Sequence, residues 1–268
     1  MTVIPAFILG IVQGLTELLP ISSSAHLALI PWMFNWDVPE YFDVALHAGT
    51  LLAIGLFFFK DWLELIKGGF DFIVKKDKNP EGRMFWFIVL ATIPGGIIGL
   101  ILDKLSEETI VGSILNAPLT ISIMLIVMGI VLYFADKKSK SITEYKKMNL
   151  KQTFLIGLSQ ALAFIPGVSR SGVTMTTARC LGVKRESAAK YSFMLSAPIV
   201  LAATIFKLKD FVFNVPFFVG VITSFIVGIL VIKFLLKYLQ KGDFKVFAIY
   251  RVIIGIFVIV YFVIKSII

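Results

Sequence analysis

The chain is poor in charge, in histidine and in cysteine. Of its 268 residues only 16% are charged, two are histidine and one, Cys180, is cysteine. A soluble globular domain carries about 25% charged residues, so this class is excluded. One cysteine cannot form an internal disulfide, which excludes a disulfide-stapled secreted domain. Apolar residues make up 58% of the chain and recur in long runs. This composition predicts an all-α integral membrane protein.

The positive charge of the chain lies between its apolar runs. Lys and Arg total 26 against 17 Asp and Glu, a net charge of +9. Placed in short connecting segments, these residues orient helices, and we expect no nucleic-acid partner. Six apolar runs predict a multi-pass protein with membrane lipids around it, because a span takes about 20 residues. The predicted spans are roughly 44–59, 84–102, 115–135, 191–206, 217–236 and 247–264.

Two further apolar stretches, residues 3–34 and 152–183, are interrupted by the sequences LLPISSSAH and IPGVSRSG. Such a break is typical of a kinked span or of a re-entrant helical hairpin. The stretches also resemble each other when Gly10 is set against Gly157 without gaps. The further identities are Gln13 with Gln160, Leu15 with Leu162, Ser22 with Ser169 and Ser24 with Ser171. We interpret the chain, 1–268, as one membrane domain of two homologous halves, about 1–135 and 150–268.

The distribution of Lys and Arg predicts the orientation of the two halves. Segments 60–83 and 136–151 are rich in these residues, whereas 103–114 between them has only Lys104. Both rich segments are expected on the cytoplasmic side. The first hairpin then enters from outside and the second from inside. The sequence therefore predicts an inverted-topology repeat of six transmembrane helices plus two re-entrant hairpins. Such repeats place a site near the membrane midplane, where the halves meet.

The first break carries a carboxylate and an amide. Gln13 and Glu17 are four residues apart and share one face of a helix. A carboxylate at membrane depth is costly and usually marks a site. Glu17 is predicted to bind a hard cation, with Gln13 lending a carbonyl oxygen, or to handle protons. The alternatives are a hydrogen bond to a neighbouring helix and a position at the membrane surface.

Three serines, Ser22, Ser23 and Ser24, follow Pro20, where a new half-helix should begin. Serine caps helix starts, and a helix start offers unpaired N–H groups to an anion. Capping alone explains one or two of the three. His26 lies three residues after Ser23 and is predicted to face it as a base or an acid.

The second break places Arg170 between Ser169 and Ser171, with Thr174 one turn later. An uncompensated arginine at the bilayer centre costs about 2.5–3.5 kcal/mol, so Arg170 is expected to meet an anion. Its planar donor fork suits phosphate, and the alternative partner is Glu17. Two half-helix starts with an arginine, serines and a histidine predict a site for phosphate or diphosphate, with hydrolysis as its chemistry.

Five other residues carry weaker predictions. Gly167 and Gly172 are expected to let the backbone approach a ligand closely. Asp43 and His47 are expected to cap a helix or to line the mouth of the site. Arg251 is expected to be structural or to extend towards the membrane surface.

The same residues resemble the motifs of a known family, the bacterial undecaprenyl-diphosphate phosphatases linked to bacitracin resistance. The family's motif of Glu or Gln, three residues and Glu is similar to Gln13 and Glu17, and its PxSSxxH motif to residues 20–26. Its PGxSRSxxT motif resembles residues 166–174. The resemblance extends over the whole chain. Two departures are Gln13 in place of an acidic residue, which puts a site of two carboxylates in doubt, and Ala25 where glycine is common.

The resemblance implies hydrolysis of undecaprenyl diphosphate to the monophosphate, which recycles the lipid carrier of cell-wall synthesis. It also implies a divalent cation, Mg²⁺ or Ca²⁺, and a site on the outer side of the bacterial cell membrane. Ser23 would attack phosphorus with His26 as its acid–base partner, Glu17 would assist the cation or the proton transfer, and Arg170 would clamp phosphate. The residues expected to bind substrate are Gln13, Ser22, Ser24, Ser169, Ser171 and Thr174.

Two other classes of protein fit parts of this pattern. A flippase for polyprenyl phosphate, or another inverted-repeat anion transporter, needs the arginine clamp but not a nucleophile. A purely structural scaffold gives no reason for Arg170 within an apolar segment. The sequence leaves open whether the chain forms a homodimer.

Overall fold

A computed structural model describes residues 1–106 and 110–267, which are almost entirely helical. Within these ranges the only β-type pairing is a single bridge between Thr143 and Val183. Three short 3₁₀ turns occur at Tyr145–Lys147, Gln160–Phe164 and Leu208–Asp210. The α-helices of the described ranges are α1 (Val3–Thr16), α2 (Ser23–Phe34), α3 (Glu40–Phe57), α4 (Phe59–Val74), α5 (Pro80–Ser106), α6 (Ile110–Leu115), α7 (Pro118–Lys138), α8 (Leu150–Ser159), α9 (Arg170–Cys180), α10 (Arg185–Lys207), α11 (Val215–Leu239) and α12 (Lys245–Ile267).

Six helices of the described chain are long and apolar enough to cross a membrane: α3, α5, α7, α10, α11 and α12. They coincide with the six predicted spans, so the prediction of an all-α chain with six helices suited to span a membrane is confirmed. Several begin earlier than predicted. The helix α10 begins at Arg185 and α3 at Glu40, because their first turns are polar and therefore lie outside the apolar run. Hydropathy thus locates a span better than it locates the start of its helix.

The segment between the first two predicted spans contains a helix that the apolar pattern did not indicate. The helix α4 turns exposed apolar side chains outward, among them Leu63 and Phe70. It packs against α5, and Trp86 Nε1 donates a hydrogen bond of 3.1 Å to the carbonyl oxygen of Gly69. An amphipathic helix of this kind suits a membrane surface.

Both interrupted stretches break where the sequence predicts, and each new helix begins in the same way. Ser22 precedes α2 with φ 77°, and Ser169 precedes α9 with φ 74°. Each side chain caps its helix, accepting a hydrogen bond from the backbone N–H of Ala25 at 3.3 Å and of Gly172 at 3.0 Å. A positive φ is unusual for serine, so the packing around both breaks must hold it.

Two glycines bring the broken helices close to their neighbours. A Cβ added to Gly10 on α1 would lie 2.7 Å from the carbonyl oxygen of Gly220 on α11. One added to Gly157 on α8 would lie 2.3 Å from that of Ala91 on α5. Real Cβ atoms do not approach backbone oxygen so closely, so both contacts require glycine.

The contact at Gly157 makes a stability prediction. We expect Gly157→Ala to lower the free energy of unfolding by about 1–3 kcal/mol, because the added methyl group must push α8 away from α5. Denaturant unfolding in detergent micelles measures the change. The matched control is Gly55→Ala on α3, where the added atom meets nothing within 4 Å. Equal stability of the two variants would contradict the close packing of α8 on α5.

A buried ion network joins the ends of four segments far from either break. Arg179 is fully buried and donates to Asp136 Oδ1 at 2.6 Å, and Arg185 donates to the same carboxylate at 2.9 Å. The backbone N–H of Phe244 donates to Asp136 Oδ2 at 3.1 Å. The two guanidinium groups share one carboxylate, and a buried charge needs such a partner to be tolerated.

Candidate active site

The two breaks meet, and one of the contacts between them is an ion pair. Arg170, at the start of α9, donates from Nη2 to Glu17 Oε1, at the end of α1. The Glu17 side chain is 6% exposed and that of Arg170 is 16% exposed. The alternative prediction, that Arg170 pairs with Glu17, is therefore confirmed. It brings the guanidinium of one half of the chain against the carboxylate of the other.

Glu17 is the centre of this cluster, because its second oxygen has three further contacts. Ser23 Oγ donates a hydrogen bond of 2.5 Å to Glu17 Oε2. His47 Nε2 lies 3.2 Å from the same oxygen, and Gln13 Nε2 lies at 3.4 Å. The carboxylate is thus the acceptor for the serine hydroxyl proton, and it is surrounded by donors that stabilise its charge.

His47 has contacts at both ring nitrogens. Its Nδ1 lies 2.7 Å from the carbonyl oxygen of Asp43, while its Nε2 faces the carboxylate of Glu17. Both partners are acceptors, so the imidazolium, with a proton on each nitrogen, satisfies both contacts. The sequence predicted only that His47 caps a helix or lines the mouth of the site. In the structure it also contacts the carboxylate of Glu17 at the centre of the cluster.

The His26 ring does not hydrogen-bond to Ser23. Its Nδ1–H donates to the carbonyl oxygen of Ser22 at 2.7 Å, and its Nε2 accepts from the hydroxyl of Tyr250 at 2.9 Å. The ring also stacks on that of Tyr250. Helical spacing allowed His26 to face Ser23, but α12 supplies the imidazole with another partner. The serine instead donates to Glu17.

A cavity of about 280 Å³ opens beside this cluster. Its polar wall consists of Glu17, Ser23, Ser24, His47, Gln160, Ser169 and Arg170. The rest of its lining is apolar and includes Val44, Phe164, Ile199 and Ala203. A cavity lined by both charged and apolar side chains suits a molecule with an ionic head and a hydrocarbon tail.

Five of the ten predicted site residues line this cavity and five lie behind it. Those on the wall are Glu17, Ser23, Ser24, Ser169 and Arg170. The others support them: Ser171 Oγ donates to the carbonyl oxygen of Leu19 at 3.0 Å, and Thr174 Oγ1 donates to that of Arg170 at 2.8 Å. Gln13 and Ser22 are buried, and with His26 they complete the second layer.

Two residues of the site, Gln160 and Tyr250, are absent from the predicted set, and only the first carries a signal in the sequence. Gln160 is 3% exposed, lines the cavity, and has an Oε1 atom without a hydrogen-bond partner. It is the repeat counterpart of Gln13, whose Oε1 is also buried and unpartnered, so the alignment of the halves could have found it. Tyr250 gave no such signal, because its contact with His26 is formed only by the fold.

The comparison with protein families decides the relationship of the chain. The family described as bacitracin resistance protein BacA matches residues 6–257. The chain belongs to this family. Its relatives include an undecaprenyl-diphosphatase of Pelotomaculum thermopropionicum, 50% identical over 264 residues that cover 97% of each chain. An undecaprenyl-diphosphatase of Desulforudis audaxviator is 48% identical, over 94% of this chain and 95% of the relative. That of Moorella thermoacetica is 43% identical over 98% of each.

Proposed function

We propose that this BacA family member is a membrane phosphatase that hydrolyses undecaprenyl diphosphate to undecaprenyl phosphate and inorganic phosphate. The observation that carries the proposal is the Ser23 hydroxyl, which donates to Glu17 in the same cavity as the Arg170 guanidinium. A nucleophile, a proton acceptor and a phosphate clamp lie within one cluster. Three relatives that match nearly the whole chain are named undecaprenyl-diphosphatase.

The anionic head of the substrate binds at the polar wall of the cavity. Arg170 uses one donor on Glu17 and keeps others for phosphate oxygens. The starts of α2 and α9 add unpaired backbone N–H groups and the positive ends of two helix dipoles. The hydrocarbon tail leaves along the apolar wall, past Phe164 and Ile199, towards the membrane lipids.

The reaction proceeds in two displacements. Ser23 Oγ attacks the terminal phosphorus while its proton passes to Glu17, and undecaprenyl phosphate leaves with the bridging oxygen. Arg170 and the helix starts stabilise the charge on the transferring phosphoryl group. Water then attacks the phosphoserine, inorganic phosphate leaves, and the hydroxyl of Ser23 is restored. For His26, which lies behind Ser22, a part in proton transfer stays a prediction.

A divalent cation, Mg²⁺ or Ca²⁺, fits this site as a partner of the substrate. No cluster of three or more His, Cys, Asp or Glu side chains suited to a metal occurs among the described residues. Mg²⁺ in particular binds through one or two carboxylates plus substrate phosphates. Glu17 and the unpartnered Oε1 of Gln13 would hold the cation. When bound, it supplies further neutralisation of phosphate charge.

The inverted repeat is part of the proposal, and the local geometry of the breaks supports it. Ser22 and Ser169, which the repeat aligns, have the same unusual φ and the same capping bond. Gly10 and Gly157, also aligned, make the same close helix contact. Among the helix pairs that join the halves, α3 packs on α10 and α7 on α12. Each of these two pairs combines corresponding helices, as a two-fold relation between halves of about 1–135 and 150–268 requires.

We propose further that the breaks are the tips of two re-entrant hairpins and that the cavity faces the outer side of the cell membrane. The scarcity of Lys and Arg before residue 60 and their abundance in 60–83 and 136–151 support this orientation. Cysteine labelling with a membrane-impermeant reagent tests it: Ser24→Cys should react in intact cells. Light scattering of the purified protein in detergent tests whether it is a homodimer.

A lipid flippase remains the competing function, because it would use the same anion clamp. The test gives the purified protein undecaprenyl diphosphate and measures released phosphate, alongside the movement of labelled lipid between the leaflets of vesicles. Phosphate release by the wild type supports the phosphatase. Lipid movement without phosphate release would favour the flippase.

His47 gives a prediction about the central carboxylate. We expect His47→Leu to lower kcat/KM by about 100-fold, because Glu17 loses the donor that orients it towards Ser23. His47→Gln keeps an N–H near the position of Nε2 and should retain activity within about fivefold. Steady-state phosphate release measures both variants. Equal activity of the Leu and Gln variants would exclude an orienting role for this side chain.

A further inference from the structure

Arg251 on α12 is a buried cation that belongs to none of the ion pairs described above and has no part in the proposed reaction. Its side chain is 0% exposed, and no carboxylate in the described ranges forms an ion pair with it. Its donors go to four backbone carbonyl oxygens: Leu125 at 3.2 Å, Pro20 at 3.1 Å, Gly167 at 2.7 Å and Val168 at 3.0 Å. Of the two predicted alternatives, a structural role is therefore confirmed and an extension to the membrane surface is wrong, because the fold surrounds the side chain with acceptors.

Three of these carbonyls belong to the two breaks. Pro20 lies two residues before Ser22, and Gly167 lies two residues before Ser169. The repeat aligns Pro20 with Gly167, so one guanidinium ties equivalent points of the two halves. Each point leads directly into the serine that caps α2 or α9. Arg251 thus fixes the starts of both helices relative to each other.

Gly172 is part of the same arrangement. A Cβ added at Gly172 would lie 2.8 Å from Arg251 Nη1 and 3.0 Å from Ser169 Cβ. The prediction that this glycine makes room for a ligand needs correction, since the space beside it is filled by Arg251. The neighbouring Tyr250 reaches the first break as well, through its hydroxyl bond to His26. The helix α12 therefore holds the first break at Pro20 and His26 and the second at Gly167 and Val168.

We propose that Arg251 is a positioning residue that fixes the separation between the starts of α2 and α9. At this separation Ser23 and Arg170 contact the same phosphoryl group. The proposal rests on the proposed function. Ser23 is the first residue of α2 and Arg170 the first of α9, so any change in the spacing of the helix starts moves both groups. The unpaired positive charge behind the two starts also favours an anion in front of them.

The test compares Arg251→Lys with Arg179→Lys, a matched change at the other fully buried arginine. A lysine keeps the charge but cannot bond four carbonyls in one plane. We expect Arg251→Lys to lower kcat at least tenfold with KM changed less than about threefold, because the tail still binds. Affinity for inorganic pyrophosphate, measured by calorimetry, should fall about tenfold, since this probe has no tail and binds only at Arg170 and the two helix starts. Arg179→Lys should lower the melting temperature at least as much as Arg251→Lys does, but it should leave kcat unchanged.

A second variant covers the case in which Arg251→Lys does not fold. Gly172→Ala displaces the guanidinium without removing it and should lower kcat and pyrophosphate affinity in the same way. Gly96→Ala, where the new atom meets nothing within 4 Å, is its control. Wild-type kcat and pyrophosphate affinity in a folded Arg251→Lys or Gly172→Ala protein would overturn the proposal.

If the wild type binds pyrophosphate but releases no phosphate from the lipid, the proposed function fails. The effect of either variant on pyrophosphate affinity still tests Arg251.

Discussion

Replacing Arg170 with alanine is expected to lower kcat/KM for undecaprenyl diphosphate by about 1000-fold, because preorganised charge at the transferring phosphoryl group is a large catalytic term. The change also leaves Glu17 without its cationic partner from the second half of the chain. Arg170→Lys keeps the charge but loses the planar fork, and should lie between the wild type and the alanine variant. Phosphate release from the lipid in detergent measures all three proteins.

The control for this prediction is Arg83→Ala, an arginine whose Nη2 donates to the carbonyl oxygen of Lys146, away from the site. It should retain full activity. The melting temperature of each variant separates lost catalysis from lost folding. Activity within threefold of the wild type in a folded Arg170→Ala protein would remove Arg170 from the phosphate clamp.

Replacing Ser23 with alanine is expected to lower kcat by about 1000-fold or more, leaving only the catalysis that binding and charge stabilisation supply. The hydroxyl donates to Glu17 at 2.5 Å, so its removal takes away both the nucleophile and the proton that Glu17 accepts. The KM should change little, because the arginine and the apolar wall still bind the lipid.

The matched control is Ser196→Ala on α10. Ser196 is also buried, but its hydroxyl donates to the carbonyl oxygen of Phe193 within its own helix. It should have wild-type kcat. Steady turnover by Ser23→Ala at the wild-type rate would show that a water molecule, and not the serine, attacks phosphorus.

The sequence predicted the fold well because its signals are local. Apolar runs located all six spanning helices of the described chain, and the clusters of Pro, Gly and Ser located both breaks. The pairing of Glu17 with Arg170 was also within reach, since a carboxylate and a guanidinium at membrane depth need counter-ions. Charge, unlike shape, restricts the choice of partner even between residues far apart in the chain.

The partners of the imidazoles could not be predicted in the same way. Helical spacing allowed His26 to face Ser23, but α12 brings Tyr250 to His26 and α3 brings His47 to Glu17. These contacts depend on how distant helices pack, which a local pattern does not contain. Arg251 shows the same limit: its position in an apolar helix left open a structural role or an extension to the membrane surface, and did not indicate that its partners are carbonyls of both breaks.

The central claim is that the terminal phosphoryl group passes through Ser23 on its way to water. The measurement that tests it most directly is the stereochemistry at phosphorus, followed with a lipid diphosphate whose terminal phosphorothioate is chiral through its oxygen isotopes. Two successive in-line displacements, first by Ser23 and then by water, predict retention of configuration in the released thiophosphate. Inversion would mean a single attack by water and would contradict the account.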